Sequence, residues 1–243
     1  MKIQASDRLI IALDSATVVE AQQLVDKLDG LVRFYKVGLV MQLAEGTDVF
    51  VRSLISSGKK VFLDYKYYDV PETLRKAVGR AAKTGVSFLT IHGSGRLIRA
   101  AVEAKGDSEL RLLTVTVLTS MDSIDMQEMG YTNHTPEELV LFRTRKALEA
   151  GCDGVIASGR EAEKVKALSG GKLLVVTPGI RPEGYPEDDQ KRTVTPGQAI
   201  LAGADYLVVG RPITGDAAPR ARAQEFINEM QAAFDKLDAA GSQ

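Results

Sequence analysis

Short apolar runs recur along the whole chain and alternate with longer amphipathic stretches. Eight stand out: LIIAL (9–13), RFYKV (33–37), KVFLD (60–64), SFLTI (87–91), RLLTVTVL (111–118), GVIA (154–157), KLLVV (172–176) and DYLVV (205–209). They are short, rich in β-branched residues and bounded by Gly, Pro, Asp or Ser, as strands buried on both faces are. Between them the spacing predicts helices over 17–28, 73–85, 135–151 and 162–170. Eight strand–helix alternations in 243 residues predict an α/β fold, a (β/α)8 TIM barrel spanning 1–243 as a single domain. The alternative is an open doubly wound sheet, which generally has fewer strands. No Gly-x-Gly-x-x-Gly follows the first run to support a dinucleotide site.

Two stretches interrupt the rhythm. Residues 119–134 and 178–197 read as long connections after the fifth and seventh strands. The second contains four prolines and three glycines, which argues against a helix there. Loops of this length in a compact domain are often functional or mobile.

Barrel enzymes carry their chemistry at the C-terminal ends of the strands. In chain order these ends are Asp14, Lys36, Asp64 with Lys66, His92, Thr119–Ser120, Ser158, Thr177–Pro178 and Gly210–Arg211. Strand side chains alternate, so Asp64 and Lys66 point to one side, toward the barrel mouth, with Lys36 on the adjacent strand. An isolated Asp-x-Lys is ordinarily a solvated pair of little energetic weight. These two instead prolong an apolar strand. Asp69 lies past the strand end, before Pro71 and Glu72, and reads either as a helix N-terminal cap or as a group directed into a second subunit.

VVGRPIT (208–214) places Gly210 and Arg211 where barrels of this kind often hold phosphate. Arg181, Gln190, Lys191 and Arg192 on the preceding loop are candidates to close over it. The net charge of −1 gives no general field for nucleic acid or an anionic membrane, and no apolar run approaches spanning length. The N-terminal MKIQASDRLIIALDS lacks the pattern of a signal peptide, and the last five residues read as a frayed tail. The single cysteine, Cys152, has no intrachain partner and reads as a small core residue, in keeping with a cytoplasmic setting. His92 and His134 stand in no metal-binding spacing, and no serine sits in a nucleophile elbow.

Asp64-x-Lys66-x-x-Asp69, followed by Val-Pro and Thr73, resembles the active-site motif of the orotidine 5′-monophosphate decarboxylase family. So do LDSA (13–16), YKVG (35–38), VTVLTSMD (115–122), VTPGIRP (176–182), DQKR (189–192) and VVGRPIT. The resemblance covers essentially the whole chain, in order. Bacterial members commonly read Asp-Leu-Lys-Phe-His-Asp-Ile-Pro-Asn-Thr at the first motif; here Tyr65, Tyr67, Tyr68, Val70 and Glu72 differ while the charges and Thr73 are kept. The resemblance implies the last step of de novo pyrimidine nucleotide synthesis, giving uridine 5′-monophosphate and CO2, with no cofactor and no metal. Lys66 would be the proton donor, Asp64 would face the substrate carboxylate, and Lys36 would bridge Asp64 and the ribose. Asp14 would hold a ribose hydroxyl, and Thr119 and Ser120 would meet the pyrimidine. Arg181, Gln190, Gly210 and Arg211 would meet the phosphate, with 178–192 as a lid. Asp69 and Thr73 would serve the partner's site in a homodimer with shared active sites.

Two other functions compete. Magnesium-dependent sugar-phosphate decarboxylases and aldolases of the same wider group share Asp-x-Lys-x-x-Asp. They use the metal to hold an enediolate, so further acid ligands are expected near their strand ends. A catalytically dead phosphate-binding sensor would have no use for the Asp64, Lys66 and Asp69 cluster.

Overall fold

The computed structural model describes residues 4–186 and 188–240. Eight parallel strands close into a barrel in sequence order, each pairing with the next and the eighth with the first. They are β1 Leu9–Leu13, β2 Phe34–Gly38, β3 Lys60–Tyr67, β4 Phe88–Ile91, β5 Arg111–Val115, β6 Gly154–Ile156, β7 Leu174–Thr177 and β8 Tyr206–Val209. The helices are α1 Val18–Lys27, α2 Leu39–Gln42, α3 Thr47–Ser56, α4 Pro71–Ala81, α5 Gly95–Lys105, α6 Ser123–Glu128, α7 Pro136–Glu149, α8 Ala162–Ser169, α9 Pro196–Leu201, α10 Arg211–Thr214 and α11 Pro219–Ala240.

Local chemistry explains most boundaries. Thr17 with Glu20, Asp122 with Asp125, Thr135 with Glu138 and Thr195 with Gln198 form reciprocal capping boxes that start α1, α6, α7 and α9. The connection at 119–134 therefore contains a short helix, and the irregular segment after β7 ends at Thr195. The expected tail is shorter than read: α11 runs through Ala240, and residues 241–243 lie outside those described, as do residues 1–3. Strand β5 stops three residues short of the expected 118, because Thr116 turns both its N–H and its hydroxyl to the Ile156 carbonyl.

Strand alternation divides the core in two. One row points inward: Ile10 and Ala12, Phe34, Phe62, Phe88, Leu113, Val176 and Val208 fill the barrel. The other, including Leu9, Ile11, Tyr35, Val61 and Leu89, packs under the helices. Phe88 sits edge-on to Phe34 (4.9 Å), Tyr206 (5.1 Å) and Phe62 (5.9 Å). Arg8 stacks over Tyr206 at 4.6 Å, so the N-terminal end of the barrel is plugged by aromatic rings. A ligand has only the opposite, C-terminal end to enter. Among the described residues no helix is long and apolar enough to cross a membrane.

Candidate active site

The site is the next storey of the barrel interior. Two residues beyond Ala12, Phe34, Phe62, Phe88 and Val208, in the same inward phase, stand Asp14, Lys36, Asp64, Thr90 and Gly210. Strand β3 then departs from regular pairing. Its register with β4 shifts between Leu63 and Tyr67, and Lys66 takes a left-handed backbone (φ +48°), the only non-glycine to do so among the described residues. Such a conformation costs on the order of 1–3 kcal/mol and is retained only where its surroundings enforce it. The irregularity prolongs β3 three residues past its expected end and aims Lys66 into the mouth beside Asp64.

Four charges alternate in sign across this storey. Lys36 Nζ lies 3.0 Å from Asp14 Oδ1 and 3.7 Å from Asp64 Oδ2, and Lys66 Nζ lies 3.0 Å from Asp64 Oδ1. The Lys36 and Asp64 side chains keep only 10% and 16% of their exposure, so this is no solvated surface pair. Thr90, fully buried, donates its hydroxyl to Asp64 Oδ1 (2.9 Å) and accepts the N–H of Lys66 (2.9 Å). It thereby captures the amide that the bulge removes from the ladder. Gly38 lies against the cluster: a Cβ there would stand 2.8 Å from Lys36 Nζ and 3.1 Å from Asp14 Oδ1. The YKVG glycine is thus a matter of space.

Asp14, Lys36, Asp64 and Lys66 form one side of a cavity of about 320 Å³. Thr119, Ser120, Arg181, Gln190, Gly210 and Arg211 line it too, and Val115, Val117, Ile156 and Val208 give it an apolar wall. Gln190 reaches from the loop after β7 to accept the Thr119 hydroxyl at 2.5 Å. Arg181 donates to Asp188 through Nε (3.1 Å) and Nη2 (2.7 Å). Arg211 lies 3.3 Å from Asp188 and hydrogen-bonds Asp189. The Arg211 hydrogen bond holds the Asp189 carboxyl below its ordinary range. At Asp188 burial pushes upward, but the Gln190 N–H and the two arginines outweigh it and the net shift is downward.

The remaining expected residues divide. Asp69 and Thr73 are exposed and do not line this cavity. The N-cap of α4 is Val70, without a side-chain cap, and Asp69 accepts the adjacent Val70 N–H. Arg192 corrects an expectation: it does not face the phosphate end but turns inward to Glu161 (2.9 Å). Lys191 lies across Asp122 (2.7 Å) and Asp125 (3.2 Å). His92 packs edge-on against Tyr68; burial, then Arg143, pushes its pKa down. Cys152 is buried, as a small core residue should be. Among the described residues no three His, Cys, Asp or Glu side chains converge as a metal site. Sequence reading missed Thr90 and Asp188, and it gave no role to Asp189 although that residue opens DQKR. Thr90 carried a signal, being a polar residue in phase with Phe88 and one position inside the end of β4, whereas His92 lies just past that strand.

The chain is similar to known proteins along nearly its whole length. The chain is 50% identical over 226 residues to the orotidine 5′-phosphate decarboxylase of Nitrobacter winogradskyi, covering 93% of each. The crystal structure of orotidine 5′-phosphate decarboxylase from Lactobacillus acidophilus superposes with a TM-score of 0.80 at 33% identity, covering 92% of this chain and 99% of that one. An uncharacterized conserved protein from Geobacillus kaustophilus superposes with a TM-score of 0.78 at 31% identity, covering 91% and 99%. Residues 7–226 match the family model itself, and the chain belongs to the orotidine 5′-phosphate decarboxylase / HUMPS family.

Proposed function

We propose that this chain decarboxylates orotidine 5′-monophosphate to uridine 5′-monophosphate in pyrimidine biosynthesis, with Lys66 as the proton donor and no cofactor. The observation that carries the reading is the Asp14–Lys36–Asp64–Lys66 row at one side of a cavity whose lining also includes Arg181 and Arg211. The sugar-phosphate alternative gains no support from the Nitrobacter winogradskyi and Lactobacillus acidophilus relatives, which are both named orotidine 5′-phosphate decarboxylases.

The chemistry follows from charge placement. The bond from C6 to the carboxyl carbon breaks, its electron pair stays on C6, and CO2 leaves. That pair lies in the ring plane, where the π system cannot delocalise it. A fixed ammonium at C6 stabilises the developing charge and then delivers a proton to it. Asp64 holds Lys66 in place, and Thr90 holds Asp64. The apolar wall suits the pyrimidine, with Thr119 and Ser120 at its edge. Arg181, Gln190, Gly210 and Arg211 take the phosphate, so binding far from C6 contributes to the chemical step.

Asp69 and Thr73 fit a partner's site. They stand beside exposed Tyr68 and Val70 after β3, and Leu39, Val40 and Leu43, which follow the neighbouring strand β2, are exposed too. A second copy covering this apolar surface would bring its own Asp69 to the mouth of this barrel. The test is loss of substrate absorbance with purified protein and EDTA. Lys66→Ala lowers kcat by about 1000-fold or more, and Asp69→Ala also loses most activity. Mixing the two variants restores activity in about a quarter of sites, because random pairing leaves one intact site in half the dimers. No turnover by the wild type overturns the function, and no recovery on mixing overturns the shared site.

A further inference from the structure

Arg192 is buried at the base of the loop 178–192, with 8% of its side chain exposed and Glu161 at 7%. Pairing two charges away from water does not by itself stabilise a fold, and an apolar residue would serve stability as well. What the ion pair provides is a fixed set of hydrogen bonds. Arg192 Nη2 donates to the Val117 and Leu118 carbonyls, both at 3.0 Å, and its backbone N–H donates to the Thr119 carbonyl at 3.2 Å. The Ser158 hydroxyl donates to the Arg192 carbonyl at 3.1 Å. One residue thus ties the loop to three consecutive carbonyls after β5 and to the end of β6. Two residues earlier, Gln190 reaches the Thr119 hydroxyl. The other arm of the loop is fastened separately, by the Arg181 N–H to the Val194 carbonyl (3.0 Å).

We propose that Arg192, oriented by Glu161, is a positioning residue that couples the phosphate-binding loop to the ring-binding segment Val117–Ser120. It touches no substrate. Its effect is to make closure of the loop on a phosphate and placement of Thr119 and Ser120 against the base one event instead of two. This rests on the proposed function, and its consequence is a difference between substrates. With the phosphate present, loss of the coupling lowers turnover. With the nucleoside orotidine, which cannot engage the loop, there is no coupling to lose.

The variant is Arg192→Met with Glu161→Gln, which leaves no buried charge unpaired. Its kcat/KM for orotidine 5′-monophosphate falls about 30-fold, carried by kcat, while that for orotidine changes less than about 3-fold. Glu161→Gln alone, which keeps an acceptor for Arg192, shows the same split at about 5-fold. Hydrogen exchange supplies a second reading. On binding uridine 5′-monophosphate the wild type gains protection in both 181–191 and 117–120, and the double variant gains it only in the loop. Equal losses on both substrates, no loss on either, or joint protection kept in the variant overturns the coupling. A wild type that does not turn over the nucleotide defeats the proposed function and this coupling with it; wild-type turnover with any overturning result defeats the coupling alone.

Discussion

Thr90→Val tests whether the charge row depends on the buried hydroxyl beneath it. Valine matches threonine in shape, so no cavity opens and the change is confined to hydrogen bonding. Thr90 Oγ1 is 2.9 Å from Asp64 Oδ1 and 2.9 Å from the Lys66 nitrogen. Losing a donor to a charged acceptor costs about 1.5–3 kcal/mol, and a buried N–H left without a partner costs about 1–3. The gained methyl returns about 0.8. The net loss is about 2–5 kcal/mol, or roughly 4–20 °C in Tm for a chain of this size. The Lys66 amide is freed while its backbone remains in the left-handed region, so the ammonium loses its fixed aim. If half of the energy is expressed at the transition state, kcat/KM falls about 5- to 70-fold. Steady-state absorbance assays and thermal unfolding measure both quantities, with Thr90→Ser, which keeps the hydroxyl, as the control. Wild-type kcat/KM in a folded Thr90→Val protein would refute the account of how Asp64 and Lys66 are held.

Two further predictions concern other parts of the chain. On the proposed reading, phosphate and Asp189 share Arg211, so Asp189→Asn tightens uridine 5′-monophosphate binding by about 1.5- to 5-fold at low salt, the worth of an exposed ion pair. Calorimetry reads it, and unchanged or weaker binding removes the competition. Burial pushes the Cys152 thiol up to about 11 from 9.0, so iodoacetamide at pH 8 leaves the native protein unlabelled by mass spectrometry and labels it in denaturant. Because the unfolded chain ionises first, Cys152 withdraws stability as pH rises from about 9 to 11 and contributes no pH dependence below that. Rapid native labelling would contradict the burial.

What the sequence disclosed follows from where a period applies. Inside the barrel the two-residue alternation carries information from the apolar core to the polar mouth. Phe34 fixes the phase that places Lys36, and Phe62 the phase that places Asp64. The same phase from Phe88 leads to Thr90, so its place beside Asp64 is legible in the alternation. Beyond the strands no period operates. Arg192 and Arg211 are both arginines next to a turn, and nothing in DQKR or VGRP distinguishes one that turns inward to Glu161 from one that faces the cavity. That choice is made by a carboxylate 31 residues away and by carbonyls 74 and 75 away. Lys66 shows the limit from inside a strand. Alternation alone sends Asp64 and Lys66 to one side, and it does so correctly, yet the backbone reaches that result through a bulge and a left-handed residue. The lysine could have been aimed by regular pairing only if β3 had ended sooner. Strand β3 instead continues to Tyr67 to pair with Ile91, and Thr90 takes up the amide that this extension leaves over. The strain at Lys66 and the hydroxyl at Thr90 are therefore two parts of one device, and a change at position 90 should be felt at Lys66 before it is felt anywhere else in the barrel.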